Sequence, residues 1–205
     1  MSSEPVQRDR LDVRSYIQYF DEALPAAFCQ QLIASFHQSV AHQQVRSKGW
    51  RAGLEGSAWT ELDLTPLADD AFKGFFYRQI DEYLTRYNRS LRLTIEVPSS
   101  PVLAPLRIKR YIAGSGDGFQ PHFDSLGEVA SRYLVFLWYL NDVEQGGETE
   151  FCDLGVSVQA RAGRLLVFPP YWMYQHAGLP PLSSDKYILS TYLMFPESSI
   201  QGRGL

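Results

Sequence analysis

The sequence is poor in the residues that mark zinc sites, disulfide frameworks and membrane spans. Only two cysteines occur among 205 residues, Cys29 and Cys152, and their spacing matches no zinc or redox motif. We therefore expect two buried free thiols, as in a reducing compartment. The longest apolar run, residues 133–140, is too short to span a bilayer, and the first residues lack the apolar core of a signal peptide. These absences predict a cytoplasmic protein with no membrane partner.

The sequence also lacks an excess of basic residues. Lys and Arg number 19 against 23 Asp and Glu, which gives a net charge of −4. Nucleic-acid-binding chains usually carry a basic patch or domain, so we expect no nucleic-acid partner. A chain of 205 residues is long enough for one domain with a sizeable core, and we expect a single domain over residues 1–205. The oligomeric state does not follow from these numbers.

The first part of the chain, residues 1–90, has the hydrophobic periodicity of helices. After Leu24-Pro25 an apolar residue recurs every fourth position, at Phe28, Leu32, Phe36 and Val40. A second apolar stripe begins after Thr65-Pro66 and continues to about Asn88. The sequence therefore predicts two amphipathic helices, separated by a long glycine-rich and aromatic loop over residues 45–62. That loop is either a lid over a pocket or an ordinary surface connection.

The second part, residues 91–197, has the composition pattern of strands. Short runs rich in β-branched and aromatic residues alternate with Gly, Pro, Asn and Asp, namely LRLTIEV, LRIKRYIA, SRYLVFLWYL, GVSVQA, GRLLVF and KYILSTYLMF. Such spacing predicts a β-sandwich or barrel. The run over residues 133–140 is apolar without alternation, so we expect a central strand that is buried on both faces.

Histidines are few, which narrows the search for a metal site. Of the four, His37 and His42 fall in the first predicted helix on different faces, and we expect them at the surface. His122 and Asp124 are two positions apart beside an extended segment, so both side chains point to the same side. His176 follows another predicted strand, and a jelly roll could bring it beside that pair. On spacing alone, the pair is either a chelating site or the polar end of a strand.

Two imidazoles and one carboxylate on one side of an ion are the ligand set of non-haem Fe(II) oxygenases. Two neutral nitrogens and one anionic oxygen hold Fe(II) without cancelling its charge. Three coordination positions then stay open for a cosubstrate and dioxygen. The residue types at His122, Asp124 and His176 therefore point to oxidative chemistry if the fold brings them together.

Five segments over residues 106–195 occur in the order typical of one enzyme family, namely IKRYIAGSGDGFQPHFD, RYLVFLWYLNDVEQGGETEF, AGRLLVFPP, HAGLP and DKYILSTYLMF. In these segments the sequence resembles the prolyl 4-hydroxylase-like branch of the Fe(II)- and 2-oxoglutarate-dependent dioxygenases. The resemblance implies a mainly β fold, a double-stranded β-helix (jelly roll) with the N-terminal helices packed on one sheet. The helical part would be residues 1–90 and the jelly-roll core residues 91–197.

The resemblance also assigns roles to individual residues. His122, Asp124 and His176 fall on the family's three iron ligands, which makes them the expected catalytic centre. Lys186 falls where the family places a basic residue that binds the far carboxylate of 2-oxoglutarate, and its alternative role is that of an exposed lysine opening a strand. The implied cofactors are Fe(II), 2-oxoglutarate as cosubstrate and O2, with ascorbate as a candidate reductant.

Tyr111 and Tyr139 match family positions whose hydroxyl groups contact the cosubstrate, although buried core tyrosines would look the same in sequence. Phe119 stands where prolyl hydroxylases often carry tyrosine, which puts a polar pocket contact, and proline as the substrate, in doubt. The carboxylate ligand is present as Asp124, whereas related halogenases have a small residue there. Hydroxylation is therefore favoured over halogenation.

The function predicted from the sequence is hydroxylation of a C–H bond coupled to oxidative decarboxylation of 2-oxoglutarate. The substrate is a prolyl residue, a peptide or protein, or alternatively a small-molecule metabolite. Two non-enzymatic alternatives stay open, namely a cupin-like module that binds metal or ligand without turnover and a protein-interaction domain. An inward cation at Lys186, together with Tyr111, distinguishes the enzyme from a cupin-like module, because a barrel that only binds metal needs no partner for a dicarboxylate.

Overall fold

Eleven strands form two antiparallel sheets in this computed structural model, which describes residues 12–196. The strands are β1 Gln18–Phe20, β2 Gln43–Arg46, β3 Trp59–Asp63, β4 Arg107–Tyr111, β5 Phe119–His122, β6 Arg132–Tyr139, β7 Thr149–Phe151, β8 Val156–Val158, β9 Leu165–Phe168, β10 His176–Gly178 and β11 Lys186–Met194. The helices are α1 Ala26–Gln38 and α2 Asp70–Leu91, with four single-turn 3-10 helices at Val13–Tyr16, Val40–His42, Gly127–Val129 and Trp172–Tyr174. The large sheet has the order β1-β9-β6-β11-β4-β3-β2, and the small sheet has the order β5-β10-β7-β8.

Strand β6 lies inside the large sheet between β9 and β11, and its residues 133–139 are all buried. One face of β6, including Phe136 and Trp138, packs against the helices, while Val135, Leu137 and Tyr139 pack towards the small sheet. The predicted central strand with two buried faces is confirmed. An apolar run without alternation is what a strand in this position requires.

The two helices cover the outer face of the large sheet, as predicted for a mainly β fold with helices on one sheet. The Phe76 ring of α2 meets the Trp138 ring of β6 edge-on at a centroid distance of 5.3 Å. Helix α2 begins at Asp70, later than the predicted start, because the side chain of Asp69 caps it by accepting from Phe72 N at 2.8 Å. Thr65 has another role, since its Oγ1 accepts from Leu106 N at 2.9 Å.

Residues 91–97 do not form the predicted strand. Leu91 still belongs to α2, and Arg92 then ends the helix in a left-handed conformation with φ of 50°. The backbone groups of Val97 are taken by the side chain of Asn88, which donates to Val97 O at 2.9 Å and accepts from Val97 N at 3.0 Å. The β-rich composition of residues 91–97 was misleading, because the buried side-chain amide of Asn88 makes the hydrogen bonds that a neighbouring strand would otherwise make.

The part predicted to be helical, residues 1–90, also contributes three strands to the large sheet. Strand β1 pairs with β9, and β3 pairs with β4, so the sheet extends beyond the predicted jelly-roll core on both edges. The prediction of a loop over residues 45–62 was wrong at both ends, where β2 and β3 pair with each other. The connection between them is residues 47–58. The assignment of the whole chain to a single domain stays a prediction.

The cysteines and the first helix differ in detail from expectation. Both cysteines are free, but Cys29 is buried and Cys152 is exposed, so burial was predicted correctly for only one. Val40 and His42 lie in a 3-10 turn after α1 and are exposed, and His37 at the surface bonds the Tyr187 hydroxyl at 2.9 Å. Within residues 12–196, no helix combines the length and apolarity that crossing a bilayer would require. The cytoplasmic location stays a prediction.

Candidate active site

Two neighbouring strands of the small sheet place the three predicted ligands. His122 ends β5, Asp124 follows two residues later, and His176 begins β10. The strands are antiparallel, and His122 and His176 are direct partners in the register. The strands pack closely because glycines face each other near their other ends, where a Cβ at Gly118 would lie 2.8 Å from the carbonyl oxygen of Gly178. The pairing of β5 with β10 thus brings together two histidines that are 54 residues apart in the sequence.

The side chains of His122, Asp124 and His176 converge. Their candidate ligand atoms all lie within 4.8 Å of one another. His122 Nε2 is 3.3 Å from one Asp124 carboxylate oxygen, and His176 Nε2 is 3.5 Å from the other. Within residues 12–196 this is the one cluster of three such groups close enough to share an ion. The structure therefore brings together all three predicted ligands, while their binding of a metal stays a prediction.

Hydrogen bonds orient both imidazoles with Nε2 towards the shared point. His122 Nδ1 lies 2.8 Å from the carbonyl oxygen of Gln120, and His176 Nδ1 lies 3.1 Å from that of Tyr174. A carbonyl oxygen can only accept, so each Nδ1 carries the proton and each Nε2 keeps its lone pair. This second bond to the backbone is the usual partner of a metal-ligating histidine.

The ionisation states suit a cation site. Burial, together with the neighbouring His122, lowers the pKa of His176 to about 4, so this imidazole is neutral at physiological pH. Burial opposes ionisation of Asp124, but the electrostatic influence of the adjoining His122 and His176 imidazoles outweighs it and holds the carboxyl pKa well below its usual range. An ionised carboxylate and a neutral imidazole are the forms that bind metal. The donor set fits Fe(II).

Next to this cluster is an inner cavity of about 40 Å³, whose wall includes Lys186. The Lys186 side chain is buried, and its Nζ lies 5.4 Å from the Tyr111 ring centroid and 5.6 Å from that of Tyr139. Within residues 12–196 no carboxylate lies within 4 Å of Nζ. Burial lowers the pKa of Lys186 to about 7. The alternative of an exposed lysine at the start of a strand is wrong.

The two predicted tyrosines flank this lysine from opposite sides. Tyr111 is the register partner of Lys186 across β4 and β11 and lines the inner cavity. The Tyr139 hydroxyl instead donates to Thr149 Oγ1 at 2.7 Å, and it is Thr149 that lines the cavity. Cosubstrate contact by either hydroxyl stays a prediction, and the sequence did not single out Thr149.

A larger outer cavity of about 780 Å³ opens on the other side of the cluster. Six residues line both cavities and form the junction between them: Lys109, Phe119, His122, Asp124, Ser190 and Tyr192. Lys109 was missed by the sequence reasoning, although alternation along β4 puts it on the same face as Tyr111. That alternation is the signal that could have found it.

The connection over residues 47–58 forms part of the outer cavity wall. It contributes Trp50, whose ring meets the Trp59 ring of β3 edge-on at a centroid distance of 5.6 Å. The Gln120 side chain ties this connection to β5, accepting from Gly56 N at 2.7 Å and donating to Gly53 O at 2.7 Å. The segment thus lines the outer cavity, and both a lid and an ordinary surface connection stay as its two interpretations.

Comparisons with known proteins agree with this geometry. Residues 106–194 match the family model described as the 2OG-Fe(II) oxygenase superfamily. Prolyl 4-hydroxylase subunit alpha-1 of Gallus gallus is 29% identical over 106 residues, which are 43% of this chain and 20% of that protein. The chain thus spans about a fifth of the length of the curated relatives that it matches.

Solved structures with a similar fold include prolyl hydroxylases. The viral collagen prolyl hydroxylase of Paramecium bursaria Chlorella virus-1, in its 2OG complex, has a TM-score of 0.61 at 19% identity, over 86% of this chain and 94% of that one. A prolyl hydroxylase of Trichoplax adhaerens, bound to a peptide fragment of the hypoxia inducible factor oxygen degradation domain, has a TM-score of 0.67 at 17% identity, over 88% of this chain and 84% of that one. At such identities the likeness shows the fold, and it confirms the predicted jelly roll.

Proposed function

We propose that the chain is an Fe(II)- and 2-oxoglutarate-dependent dioxygenase that hydroxylates a C–H bond, because residues 106–194 match the 2OG-Fe(II) oxygenase family model and the curated relatives are prolyl 4-hydroxylase subunits. One observation carries the proposal: the cluster of His122, Asp124 and His176 lies beside an inner cavity that contains a buried lysine with no ion pair among residues 12–196. A cupin-like module that only binds metal has no use for that lysine.

In this proposal the chain holds and orients the reacting groups. His122, Asp124 and His176 would hold Fe(II). The backbone carbonyl oxygens that accept from Nδ1 of His122 and of His176 fix the two imidazole rings. Bound there with 2-oxoglutarate and O2, the iron supplies the oxidation that releases succinate and CO2 and hydroxylates the substrate. Lys186 binds the far carboxylate of 2-oxoglutarate, because a buried anion needs a charge-assisted partner. Tyr111, across the strand pair, offers a second donor. Ascorbate as a reductant belongs to this proposal as well.

We place the substrate in the outer cavity and propose a prolyl residue or another residue of a peptide. The curated relatives are prolyl 4-hydroxylase subunits, and the Trichoplax enzyme binds a peptide. A cavity of about 780 Å³ is large enough for a peptide segment, although it also has the size of ordinary small-molecule sites. A metabolite is therefore the second candidate, and the Phe119 departure from the family pattern favours it.

An anaerobic visible spectrum tests the proposed chemistry. Fe(II) and then 2-oxoglutarate are added to the metal-free protein, and a charge-transfer band that requires both additions is expected. The band should be absent in His122→Ala, whose fold is checked by circular dichroism. A folded wild-type protein that shows no band under these conditions would contradict the dioxygenase proposal and leave the cupin-like module as the better explanation.

The pKa of Lys186 makes 2-oxoglutarate binding dependent on pH. Because burial lowers this pKa from 10.5 to about 7, the free folded protein loses the lysine charge as the pH rises above 7. The Kd for 2-oxoglutarate should therefore increase by up to about tenfold per pH unit above 7. The ligand-free protein should change in the opposite direction, with its free energy of unfolding rising between about pH 7 and pH 10.5, since there the unfolded chain binds the extra proton.

Isothermal titration at pH 6.5 to 9 measures this dependence, and repeating it in two buffers counts the protons taken up on binding. Lys186→Met serves as the control, because it should remove the proton uptake. A Kd that is constant from pH 7 to 9 in the wild-type protein would show that Lys186 does not pair with the cosubstrate.

A further inference from the structure

The junction between the two cavities contains a second inward lysine, Lys109, for which the proposed chemistry has no role. Lys109 lies in the middle of β4, opposite Glu61 of β3 on one side and Ile188 of β11 on the other. It lines the inner and the outer cavity together with His122 and Asp124. A substrate that enters the outer cavity must present its reacting C–H bond at this junction. Lys109 is therefore beside the part of the substrate that reacts.

Aromatic rings hold the Lys109 ammonium in place. Its Nζ lies 5.4 Å from the ring centroid of Trp59 and 5.2 Å from that of Phe119, and these two rings are stacked on each other at 4.7 Å. Cation–π contact of this kind favours a cation without neutralising its charge. Within residues 12–196 no carboxylate lies within 4 Å of Nζ. The ammonium thus keeps its hydrogen-bonding capacity for a ligand.

The two nearest acidic groups are already engaged. Glu61 accepts from Trp59 Nε1 at 3.0 Å and pairs with Arg46 at 3.0 Å. Asp124 lies between the two imidazoles and is the proposed anionic ligand of the metal. Burial lowers the pKa of Lys109, and the charges of Asp124 and Glu61 act against that change. A further anion at the junction would act in the same direction as these carboxylates.

Other cations on the outer cavity wall are also incompletely paired. Arg132 places its guanidinium 4.0 Å from the Tyr192 ring centroid, and its Nε is buried with no hydrogen-bond partner in the part of the chain that the structure describes. Arg107 reaches Asp63 only at 3.6 Å, and both side chains are partly exposed. Arg51 lines the same wall, where the remaining acidic residue is the exposed Glu128. This cavity is thus cationic on a chain whose net charge is −4.

We propose that the substrate carries a carboxylate close to the C–H bond that reacts, and that Lys109 binds this carboxylate at the junction. The inference rests on the proposed dioxygenase function and adds the chemical class of its substrate. Two sources of such a group are a free carboxyl group, as in an amino acid or a peptide C-terminus, and an Asp or Glu side chain within a peptide. The role is distinct from that of Lys186, which lies deeper and faces only the inner cavity.

Two pairs of probes that differ in charge test this assignment. N-acetyl-L-proline is compared with N-acetyl-L-prolinamide for a free carboxyl group, and acetyl-Pro-Glu-amide with acetyl-Pro-Gln-amide for a side chain. Each probe is titrated into anaerobic protein loaded with Fe(II) and 2-oxoglutarate, and binding is followed by tryptophan fluorescence, since Trp59 contacts Lys109. The charged member of at least one pair should bind about tenfold more tightly or better.

Variants show whether Lys109 causes the preference. Lys109→Met should bring the two members of the pair to within about twofold, and Lys109→Arg should keep most of the preference. Lys48→Met is the matched control, because Lys48 is exposed and lies outside both cavities. This control should behave like the wild-type protein. The wild-type comparison of charged and neutral probes stands even where Lys109→Met fails to fold.

The outcomes separate this inference from the proposed function, because the charge-transfer band is recorded on the same samples. A band without discrimination in either probe pair overturns the substrate inference alone. The inference is also overturned if Lys109→Met weakens 2-oxoglutarate binding and leaves the probe preference intact. Absence of the band in the folded wild-type protein overturns both the proposed function and this inference, whereas a band with a preference that Lys109→Met removes supports both.

Discussion

Replacing Asp124 with alanine is expected to lower 2-oxoglutarate-dependent turnover by about a thousandfold or more while the chain stays folded. Asp124 supplies the single carboxylate of the cluster, and without it two neutral imidazoles face the ion. The fold should tolerate the change, because Asp124 follows β5 and its backbone N–H donates to the carbonyl oxygen of Pro170 at 2.9 Å, a bond that alanine keeps. The substitution also removes a carboxylate whose charge is compensated by the two histidines and by Lys109.

Succinate formation and the anaerobic Fe(II)/2-oxoglutarate band are measured together for this variant. Glu150→Ala is the control, since Glu150 is another carboxylate of the small sheet but is exposed and outside both cavities. The control should keep turnover and band. Undiminished turnover in a folded Asp124→Ala protein would show that Asp124 is not a metal ligand.

Substitution of Lys186 by methionine should weaken 2-oxoglutarate binding and stabilise the ligand-free protein at the same time. Without the lysine, the far carboxylate of 2-oxoglutarate would be buried without a partner, so a loss of about a hundredfold or more in affinity is expected. In the ligand-free protein the same side chain is a buried amine that pairs with no carboxylate in the part of the chain that the structure describes, and an apolar chain of similar length removes its desolvation cost. We expect the free energy of unfolding to rise by about 1 to 3 kcal/mol below pH 7.

Titration of the charge-transfer band with 2-oxoglutarate measures the first effect, and chemical denaturation without ligand measures the second. The opposite signs distinguish a binding role from a structural one, because a lysine that supports the fold would lower stability when replaced. Lys186→Arg keeps the charge with a larger head group and should retain part of the affinity. An unchanged Kd for 2-oxoglutarate in Lys186→Met would assign the cosubstrate to another cation.

Local spacing predicted the direction of two side chains and left their role open. The two-residue spacing of His122 and Asp124 places both side chains on one side of any extended chain, which fits a chelating site and the polar end of a strand equally. His176 is 54 residues further along, and its approach needed the pairing of β5 with β10, which no local pattern encodes. Resemblance to a family supplied that long-range step.

The sequence was insufficient where a tertiary contact replaces a local preference. Residues 91–97 have the composition of a strand, yet the side chain of Asn88 takes the hydrogen bonds that a neighbouring strand would make. Strand β1 has only three residues and forms because β9 offers an edge. Lys109 was overlooked because a lysine within a strand is usually exposed, and its inward direction shows only when β3 and β11 flank it.

If the three clustered side chains on β5 and β10 bind an ion as proposed, the supply of that ion would also affect the stability of the small sheet. Strand β5 has four residues and lies at the edge of the small sheet, so few hydrogen bonds hold it to β10. An ion bound by His122, Asp124 and His176 would link the two strands. At a free concentration of a hundred times its Kd, the ion would raise the free energy needed to separate the strands by about 2.7 kcal/mol. In a cell short of iron, a larger fraction of the protein would unfold locally at this edge and become accessible to proteases. Iron would then govern the abundance of the protein as well as its activity.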